Sequence, residues 1–93
     1  MYYVYVLESE SRVGFRYVGF TKDLKARIKD HNEGKCDFTK RHRPWRVVYF
    51  ESFACETNAR KRERQIKKWS AGKKEALING DFERLKELSR RKR

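Results

Sequence analysis

Two basic side chains that could act on a phosphate occupy helix positions where packing would favour apolar residues. An apolar stripe that begins at Leu24 should continue at positions 27, 28 and 31, but two of these positions hold Arg27 and His31. The two residues are four apart, so their side chains are neighbours on one helix face. An arginine can stabilise developing negative charge and a histidine can transfer a proton. We expect both to lie half covered, at the rim of a cleft.

A carboxylate occupies a comparable position in the second predicted helix. Glu63 lies four residues after Ala59 and three before Ile66, so it shares the inward stripe that these residues and Ser70 mark. The other residues from 60 to 64 are all basic. Burying a lone carboxylate is costly unless it is paired or binds a metal. The position therefore favours an ion pair or a metal site.

Each of these three residues also has an ordinary structural interpretation. Arg27 could cover the core with its aliphatic stem, and His31 could lie at a helix C terminus because of the helix dipole. Glu63 could pair with Arg27, or with Lys67 four residues later. Three polar residues on inward stripes are harder to explain together, because such exceptions are expected where function overrides local consistency.

Two tyrosines, Tyr5 and Tyr17, lie in predicted strands. Residues 2–7 alternate between two faces that are both apolar or amphipathic, which predicts an interior strand. Residues 15–20 form a second strand, and Gly19 within it indicates a close backbone approach or a bulge. Aromatic residues are common in strands, so both tyrosines could simply pack in the core.

The remaining elements position these residues within one small α+β domain. They are a helix at about 22–32 after an N-cap at Thr21, a strand at about 46–53, a helix of about a dozen residues after Thr57 or Asn58, a helical turn in KKEALIN, and a short helix FERLKEL after Asp81. We expect a small three-stranded mixed sheet flanked by helices in the order β-β-α-β-α-α. The domain should cover residues 1–88, with a flexible basic tail at 89–93.

The charge balance predicts a polyanionic partner. The chain has 25 Lys and Arg against 13 Asp and Glu, a formal net charge of +12, and such an excess attracts nucleic acid. The loop TKRHRPW carries a cationic patch that would contact phosphates, or would be solvated while Pro44 and Trp45 anchor the next strand. The expected nucleic-acid contacts are Lys22, Lys35, Lys40, Arg41, Arg43, Arg60 and Lys67.

Other function classes find little support in the sequence. No apolar run is long enough to span a bilayer, no basic amphipathic helix has a large apolar face, and no signal layout opens the chain. Cys36 and Cys55 fit neither a disulfide framework nor a zinc motif, although His31 and His42 flank Cys36. We expect reduced thiols in a cytoplasmic protein.

Four motifs together resemble those of the GIY-YIG endonuclease superfamily, most closely its small stand-alone bacterial members. YVY at 3–5 and YVG at 17–19 look like the paired motifs. TKDLKARIKDHNEGK resembles the helix that carries Arg and then His, and ETNARKRERQIKKW resembles the metal-site helix. Tyr3 stands where the family name has Gly and valines replace the isoleucines, whereas Gly19 is kept and joins the candidate site.

The resemblance implies phosphodiester hydrolysis of nucleic acid, foremost DNA, with one divalent cation, Mg²⁺ or Mn²⁺. By position, Glu63 would bind the cation, which would act as a Lewis acid. Tyr5 would be the general base toward a water, and Tyr17 would help to position it. A phenol is a poor base near its usual pKa of about 10, so we expect neighbouring positive charge to favour the phenolate.

The remaining matches complete the implied site. Arg27 would stabilise charge on the phosphate, and His31 would orient a tyrosine or share the proton transfer. Asn79 resembles a late polar position seen in some members.

Three hypotheses from different classes follow. The first is a metal-dependent DNA endonuclease that selects structure and acts in repair or recombination. The second is a nucleic-acid-binding module with the same fold and little or no catalysis, for which the charge alone suffices. The third is a basic scaffold that docks on acidic partners and needs no divalent metal.

Overall fold

The computed structural model describes residues 1–90. Within this range the chain contains a three-stranded sheet that has apolar packing on both faces. The strands are β1 (Tyr2–Ser9), β2 (Arg16–Thr21) and β3 (Trp45–Phe53). Strand β1 is central, as its two apolar faces predicted, and the order is β2-β1-β3. Both pairings are antiparallel, so the expectation of a mixed sheet was wrong. The two outer strands run in the same direction, but β1 lies between them.

Within residues 1–90, four α-helices accompany the sheet: α1 (Leu24–Asn32), α2 (Glu56–Lys67), α3 (Ala71–Ile78) and α4 (Phe82–Arg90). The predicted order holds through α3, and α4 follows where FERLKEL predicted a short helix. Helix α4 continues to Arg90, so the first two residues of the predicted tail are helical. The rest of that tail, residues 91–93, lies outside the described residues.

Helix α1 is capped at its start and hydrogen-bonded to β3 at its end. Asp23 is its N-cap, because Asp23 Oδ1 accepts the Ala26 N–H at 3.2 Å. Thr21, which was expected to cap this helix, is instead the last residue of β2. At the other end, Asn32 Nδ2 donates to the Trp45 carbonyl at 3.1 Å, and Asn32 Oδ1 accepts the Trp45 N–H at 2.6 Å. The end of α1 is therefore held against the start of β3.

Helices α2 and α3 begin at residues other than those predicted. Helix α2 begins after Cys55, whose side chain makes no capping bond, rather than after Thr57 or Asn58. Ser70 was expected on the inner face of this helix, but it caps α3 by accepting the Lys73 N–H at 3.3 Å. Asp81 precedes α4 as predicted, and its Oδ1 accepts the N–H of Arg84 at 3.2 Å.

The alternation of β1 divides the core into two clusters. On one side, buried aliphatic residues of β1 and β2 pack with residues of α2 and α3, namely Val4, Val6, Val18, Ala59, Ile66 and Leu77. On the other side, Tyr5, Leu7 and Trp45 pack with Leu24 and Ile28 of α1. The second cluster contains the polar residues of the candidate site.

A short 3-10 turn (Lys40–His42) interrupts the basic loop between α1 and β3. Trp45 anchors the end of this loop, since it is 3% exposed and its Nε1–H donates to the Thr39 carbonyl at 2.8 Å. Trp45 therefore anchors the loop at the start of β3, as the second interpretation of this loop predicted.

Within residues 1–90, no helix is both long and apolar enough to cross a membrane. Cys36 and Cys55 are both free thiols, as the sequence predicted. No group of three or more His, Cys, Asp or Glu side chains converges to hold a metal within this range.

Candidate active site

Tyr5 lies at the centre of the candidate site, on the α1 side of the sheet. It is paired in register with Gly19 of β2, and its ring lies across the glycine backbone. A Cβ at position 19 would lie 2.9 Å from Tyr5 Cε1 and would overlap Oη and Cζ. Gly19 therefore makes the close approach that its place in the strand predicted, because only a residue without a side chain leaves room for the phenol.

A series of buried hydrogen bonds continues from Tyr5 into α1 and the basic loop. Tyr5 Oη lies 2.9 Å from His31 Nε2, and His31 Nδ1 lies 2.8 Å from Thr39 Oγ1. Tyr5 and Thr39 are each 1% exposed and His31 is fully buried. The expectation of a half-covered histidine was therefore wrong, because the loop that holds Thr39 covers the end of α1.

Burial shifts both titratable groups of this series toward their neutral forms. It raises the pKa of Tyr5 to about 12, and the neighbouring Arg27 guanidinium opposes this only in part. Burial, with the charge of Arg27, lowers the pKa of His31 to about 4. Both groups are therefore neutral at pH 7. The phenol pKa moves in the direction opposite to the one that a general base requires.

Arg27 extends from α1 beside the Tyr5 hydroxyl and remains half covered, as predicted. Its side chain is 38% exposed, and Nη1 lies 3.9 Å from Asp30 Oδ2. The contact with Tyr5 raises the pKa of Arg27. A guanidinium has five N–H donors in a fixed fork, so it can pair with Asp30 and still donate to a phosphate.

Tyr17 lies beside the same pair but reaches an open space. Its ring centroid is 6.4 Å from that of Tyr5 and 5.1 Å from that of His31. Tyr17 is half-buried and lines a cavity of about 340 Å³. The cavity lining combines aromatic and basic side chains, among them Phe15, Phe38, Trp45, Arg16, Lys67 and Lys74. Rings and cations together suit the bases and phosphates of a nucleic acid.

Glu63 is connected to this cavity through Lys67. The Glu63 side chain is 19% exposed, and its Oε2 lies 3.0 Å from Lys67 Nζ. This is the i,i+4 ion pair that the sequence allowed, whereas Arg27 pairs with Asp30 rather than with Glu63. Lys67 also lines the cavity beside Tyr17, so the ion pair lies next to this cavity, although α2 packs on the sheet face opposite to α1.

The donor set fits the divalent cation that the resemblance implies. Mg²⁺ usually binds one or two carboxylates and keeps several waters, and it takes substrate phosphate oxygens as further ligands. A single partly exposed carboxylate, Glu63, is enough for that mode. Its ammonium partner on Lys67 is 49% exposed and can turn away into solvent.

The predicted nucleic-acid contacts fall into two groups. Four of them already pair with carboxylates: Lys35 with Asp30 and Glu33, Lys40 with Asp37, Arg60 with Glu56, and Lys67 with Glu63. The salt bridges found in residues 1–90 leave Lys22, Arg41 and Arg43 without a carboxylate. Arg43 also stabilises the loop, because its Nε donates to the Lys40 carbonyl at 2.8 Å.

Two motif positions lie away from the cluster around Tyr5. Asn79 is exposed at the end of α3 and lines another cavity with Asp81 and Arg84. Among the described residues, that cavity shares no lining residue with the one at Tyr17. Tyr3, at the motif position of Gly, packs edge-on against Phe50 of β3 with ring centroids 6.2 Å apart.

Sequence reasoning missed Thr39, Arg16 and Lys74. Arg16 is largely buried, lies 3.7 Å from Glu8 and 3.4 Å from Glu75, and lines the cavity. Its Nε has no hydrogen-bond partner within residues 1–90. None of the three follows from helix or strand periodicity, because Thr39 lies in a loop and the other two approach the site only through tertiary packing.

The comparison with known families identifies the class of protein. The family model of the GIY-YIG catalytic domain matches residues 1–76. This range contains Tyr5, Tyr17, Arg27, His31 and Glu63. The chain belongs to the GIY-YIG catalytic domain family, and this membership supports a function of the nuclease type.

Individual relatives are small bacterial proteins, as the resemblance implied. A UPF0213 protein of Syntrophus aciditrophicus is 38% identical over 85 residues, which cover 89% of this chain and 95% of the relative. A UPF0213 protein of Staphylococcus saprophyticus is 39% identical over 79 residues, covering 84% and 94%. The solution NMR structure of a UPF0213 protein from Bacillus halodurans matches with a TM-score of 0.55 at 37% identity, covering 85% and 84%.

Proposed function

We propose that this chain is a metal-dependent endonuclease that hydrolyses phosphodiester bonds of DNA and selects DNA structure rather than sequence. One observation carries the proposal: Tyr5, Tyr17, Arg27 and His31 converge on one face of the sheet, beside a cavity that Lys67 links to Glu63. A role in repair or recombination belongs to the same proposal.

The two tyrosines take different roles in the proposed reaction. A general base must contact the attacking water, but Tyr5 is 1% exposed and hydrogen-bonded to His31. Tyr17 lines the cavity, so we assign the water contact to Tyr17. Tyr5 and His31 then form a neutral, buried pair that holds the neighbouring groups in place. This assignment reverses the roles that the motif order implied.

Arg27 supplies fixed positive charge toward the phosphate. Its guanidinium neighbours Tyr5 and is partly exposed, so a phosphate oxygen that approaches from solvent can accept from it. Donors that are already in place when charge develops stabilise the transition state at no reorganisation cost.

Glu63 is the residue proposed to hold one Mg²⁺ or Mn²⁺. When bound, the cation supplies Lewis-acid stabilisation of the phosphate and of the leaving oxygen. The Lys67 ammonium would have to leave Glu63 for the cation to bind, and it would then be free to contact DNA.

Selection by structure rather than sequence is supported by the kind of side chains that are exposed. Lys22, Arg41 and Arg43 are cations without a carboxylate partner in the described chain, and cationic side chains contact phosphates, which carry no sequence information. The aromatic lining of the cavity is equally tolerant of sequence, because every base can stack on a ring.

A substrate and metal panel tests the proposal. Branched, flapped, single-stranded and plain duplex DNA, with a matched RNA set, are incubated with the chain and Mg²⁺, Mn²⁺ or a chelator. We expect cleavage of structured DNA only with metal, and a loss of at least about a hundredfold in Glu63→Gln. Glu56→Gln is the matched control, because Glu56 makes the same i,i+4 pair with Arg60 at 2.8 Å on the same helix.

Several outcomes would contradict the endonuclease. One is cleavage that persists in chelator, and another is an equal loss in both glutamate variants. A third is intact DNA in every reaction while binding is normal.

The third outcome would support the second candidate, a nucleic-acid-binding module with the same fold. The raised pKa of Tyr5 and the ion pair that occupies Glu63 favour this candidate. Binding by either candidate must weaken steeply as salt rises, since phosphate contacts release counterions.

A further inference from the structure

Thr39 is the buried end of the hydrogen-bond series that begins at Tyr5. Thr39 Oγ1 lies 2.8 Å from His31 Nδ1 and 3.5 Å from the Cys36 carbonyl. The Thr39 backbone is fixed on both sides, because its N–H donates to the Cys36 carbonyl at 3.2 Å and its carbonyl accepts the Trp45 indole N–H at 2.8 Å. The hydroxyl is therefore held in one place beneath the imidazole.

The direction of the hydrogen bonds follows from the groups around Tyr5. A neutral imidazole carries one proton, so one ring nitrogen donates and the other accepts. The Tyr5 hydroxyl lies 2.9 Å from His31 Nε2, and the neighbouring Arg27 guanidinium, which acts to lower the pKa of Tyr5, can only donate. The Tyr5 proton therefore has its acceptor at His31 Nε2. The imidazole proton must then be on Nδ1, where Thr39 Oγ1 accepts it.

The Thr39 hydroxyl can donate onward in the same direction along the series. The Cys36 carbonyl lies 3.5 Å from Thr39 Oγ1 and also accepts the N–H groups of Thr39 and Lys40, so Thr39 can accept from His31 while its hydroxyl donates weakly to the backbone. In the opposite arrangement, Nε2 would donate to Tyr5, and the buried phenol proton would have no acceptor within residues 1–90, where His31 is the hydrogen-bond partner found for Tyr5 Oη. Leaving such a buried donor unpaired is costly.

We propose that Thr39 is a positioning residue that fixes His31 in the tautomer with its proton on Nδ1, so that Nε2 accepts the Tyr5 hydroxyl. The consequence is that Tyr5 keeps its proton turned away from Arg27, and the phenol oxygen can accept from the guanidinium. Thr39 thus orders Tyr5, His31 and Arg27 from the basic loop. The part of this inference that concerns reaction rate rests on the proposed function, whereas the tautomer does not.

The tautomer can be observed directly by NMR of ¹⁵N-histidine-labelled protein near pH 7. The nitrogen chemical shifts and long-range couplings distinguish a protonated Nδ1 from a protonated Nε2, and His42→Gln assigns the signals of the two histidines. We expect the proton on Nδ1 of His31 in the wild-type chain. A ring with its proton on Nε2 overturns the proposal, whether or not the chain proves to be a nuclease.

Two substitutions separate the hydroxyl from the rest of the side chain. Thr39→Val keeps the shape and removes the hydroxyl, so we expect a mixture of His31 tautomers and a loss of about tenfold to a hundredfold in cleavage rate. Thr39→Ser keeps the hydroxyl, and we expect the wild-type tautomer and a rate within about threefold. Thr57→Val, at an exposed position in α2, is the control for a threonine without this contact.

The tautomer of His31 in each variant decides the proposal. A single Nδ1-protonated tautomer in folded Thr39→Val overturns the proposal, and so does a Thr39→Ser chain that resembles Thr39→Val. If Thr39→Val does not fold, the wild-type and Thr39→Ser spectra decide the question. If no variant or wild-type chain cleaves DNA, the proposed function fails, but the tautomer result still supports or overturns the role of Thr39.

Discussion

The two faces of the sheet are built from the same central strand but differ in chemistry. On the α2 side, the buried cluster is entirely aliphatic. On the α1 side, the buried residues include Tyr5, His31, Thr39 and Trp45, each of which places a polar atom in a hydrogen bond. Aliphatic burial stabilises without demanding direction, whereas buried polar groups must be paired to avoid a large cost. The site face thus depends on geometry, and the opposite face depends mainly on volume.

The largest contrast should come from adding one methyl group at a glycine on each side. In Gly19→Ala the new Cβ would overlap the Tyr5 phenol, so Tyr5 or β2 must move. We expect nuclease activity to fall at least about a hundredfold, since small misplacements have effects of that size. Stability should also fall. The measurements are cleavage of the preferred DNA and urea unfolding.

Gly72→Ala is the matched substitution on the other side. A Cβ there would lie 3.8 Å from Leu88 Cδ1, which is an ordinary contact, and alanine is favoured over glycine in a helix by up to about 1 kcal/mol. We expect unchanged cleavage and equal or higher stability. Full activity in Gly19→Ala would show that the close approach at Tyr5 has no functional importance.

A second comparison removes the same group from each face. Leu7 is fully buried beside Tyr5, and Leu77 is 2% exposed in the aliphatic cluster. Either Leu→Ala change should lower the free energy of unfolding by about 2–5 kcal/mol. Only Leu7→Ala should also lower the cleavage rate of the folded fraction, because it loosens the packing around Tyr5. Equal rates in the two variants would mean that the site face tolerates lost volume as the other face does.

Acidification should weaken the site face selectively. The pKa of His31 is lowered by burial to about 4, against about 6.5 in an unfolded chain. The unfolded chain therefore binds more protons, and stability is lost as pH falls from about 7 through 4. At about 1.4 kcal/mol for each pKa unit, the loss is about 3 kcal/mol.

The measurement compares urea unfolding of the wild-type chain with that of His31→Gln between pH 7 and pH 4. Carboxylates titrate in both chains, so their contribution cancels in the comparison. We expect the wild-type curve to fall more steeply. Parallel curves would mean that His31 is not held neutral by its surroundings.

Sequence patterns predicted the residues of the strands and helices on the two faces, but not the loop residue that completes the α1 side. The alternation of β1 predicted a central strand, and the spacing in α1 and α2 singled out Arg27, His31 and Glu63 from simple rules of periodicity. Those rules describe residues within regular elements. They carry no information on a loop residue such as Thr39, which meets His31 only after the chain folds back. They also do not report net burial, which reversed the expected pKa shift of Tyr5.

The smallest predicted contrast concerns two helix caps that make nearly the same bond. Asp23 Oδ1 accepts the Ala26 N–H at 3.2 Å at the start of α1, and Ser70 Oγ accepts the Lys73 N–H at 3.3 Å at the start of α3. Substitution of either by alanine should lower the free energy of unfolding by about 1 kcal/mol, measured by urea titration. Because α1 carries Arg27 and His31, Asp23→Ala should also slow cleavage by a few-fold, whereas Ser70→Ala should not. If both variants cleave at the wild-type rate, fraying of the α1 start does not reach the site, and packing against the sheet alone holds Arg27 in position.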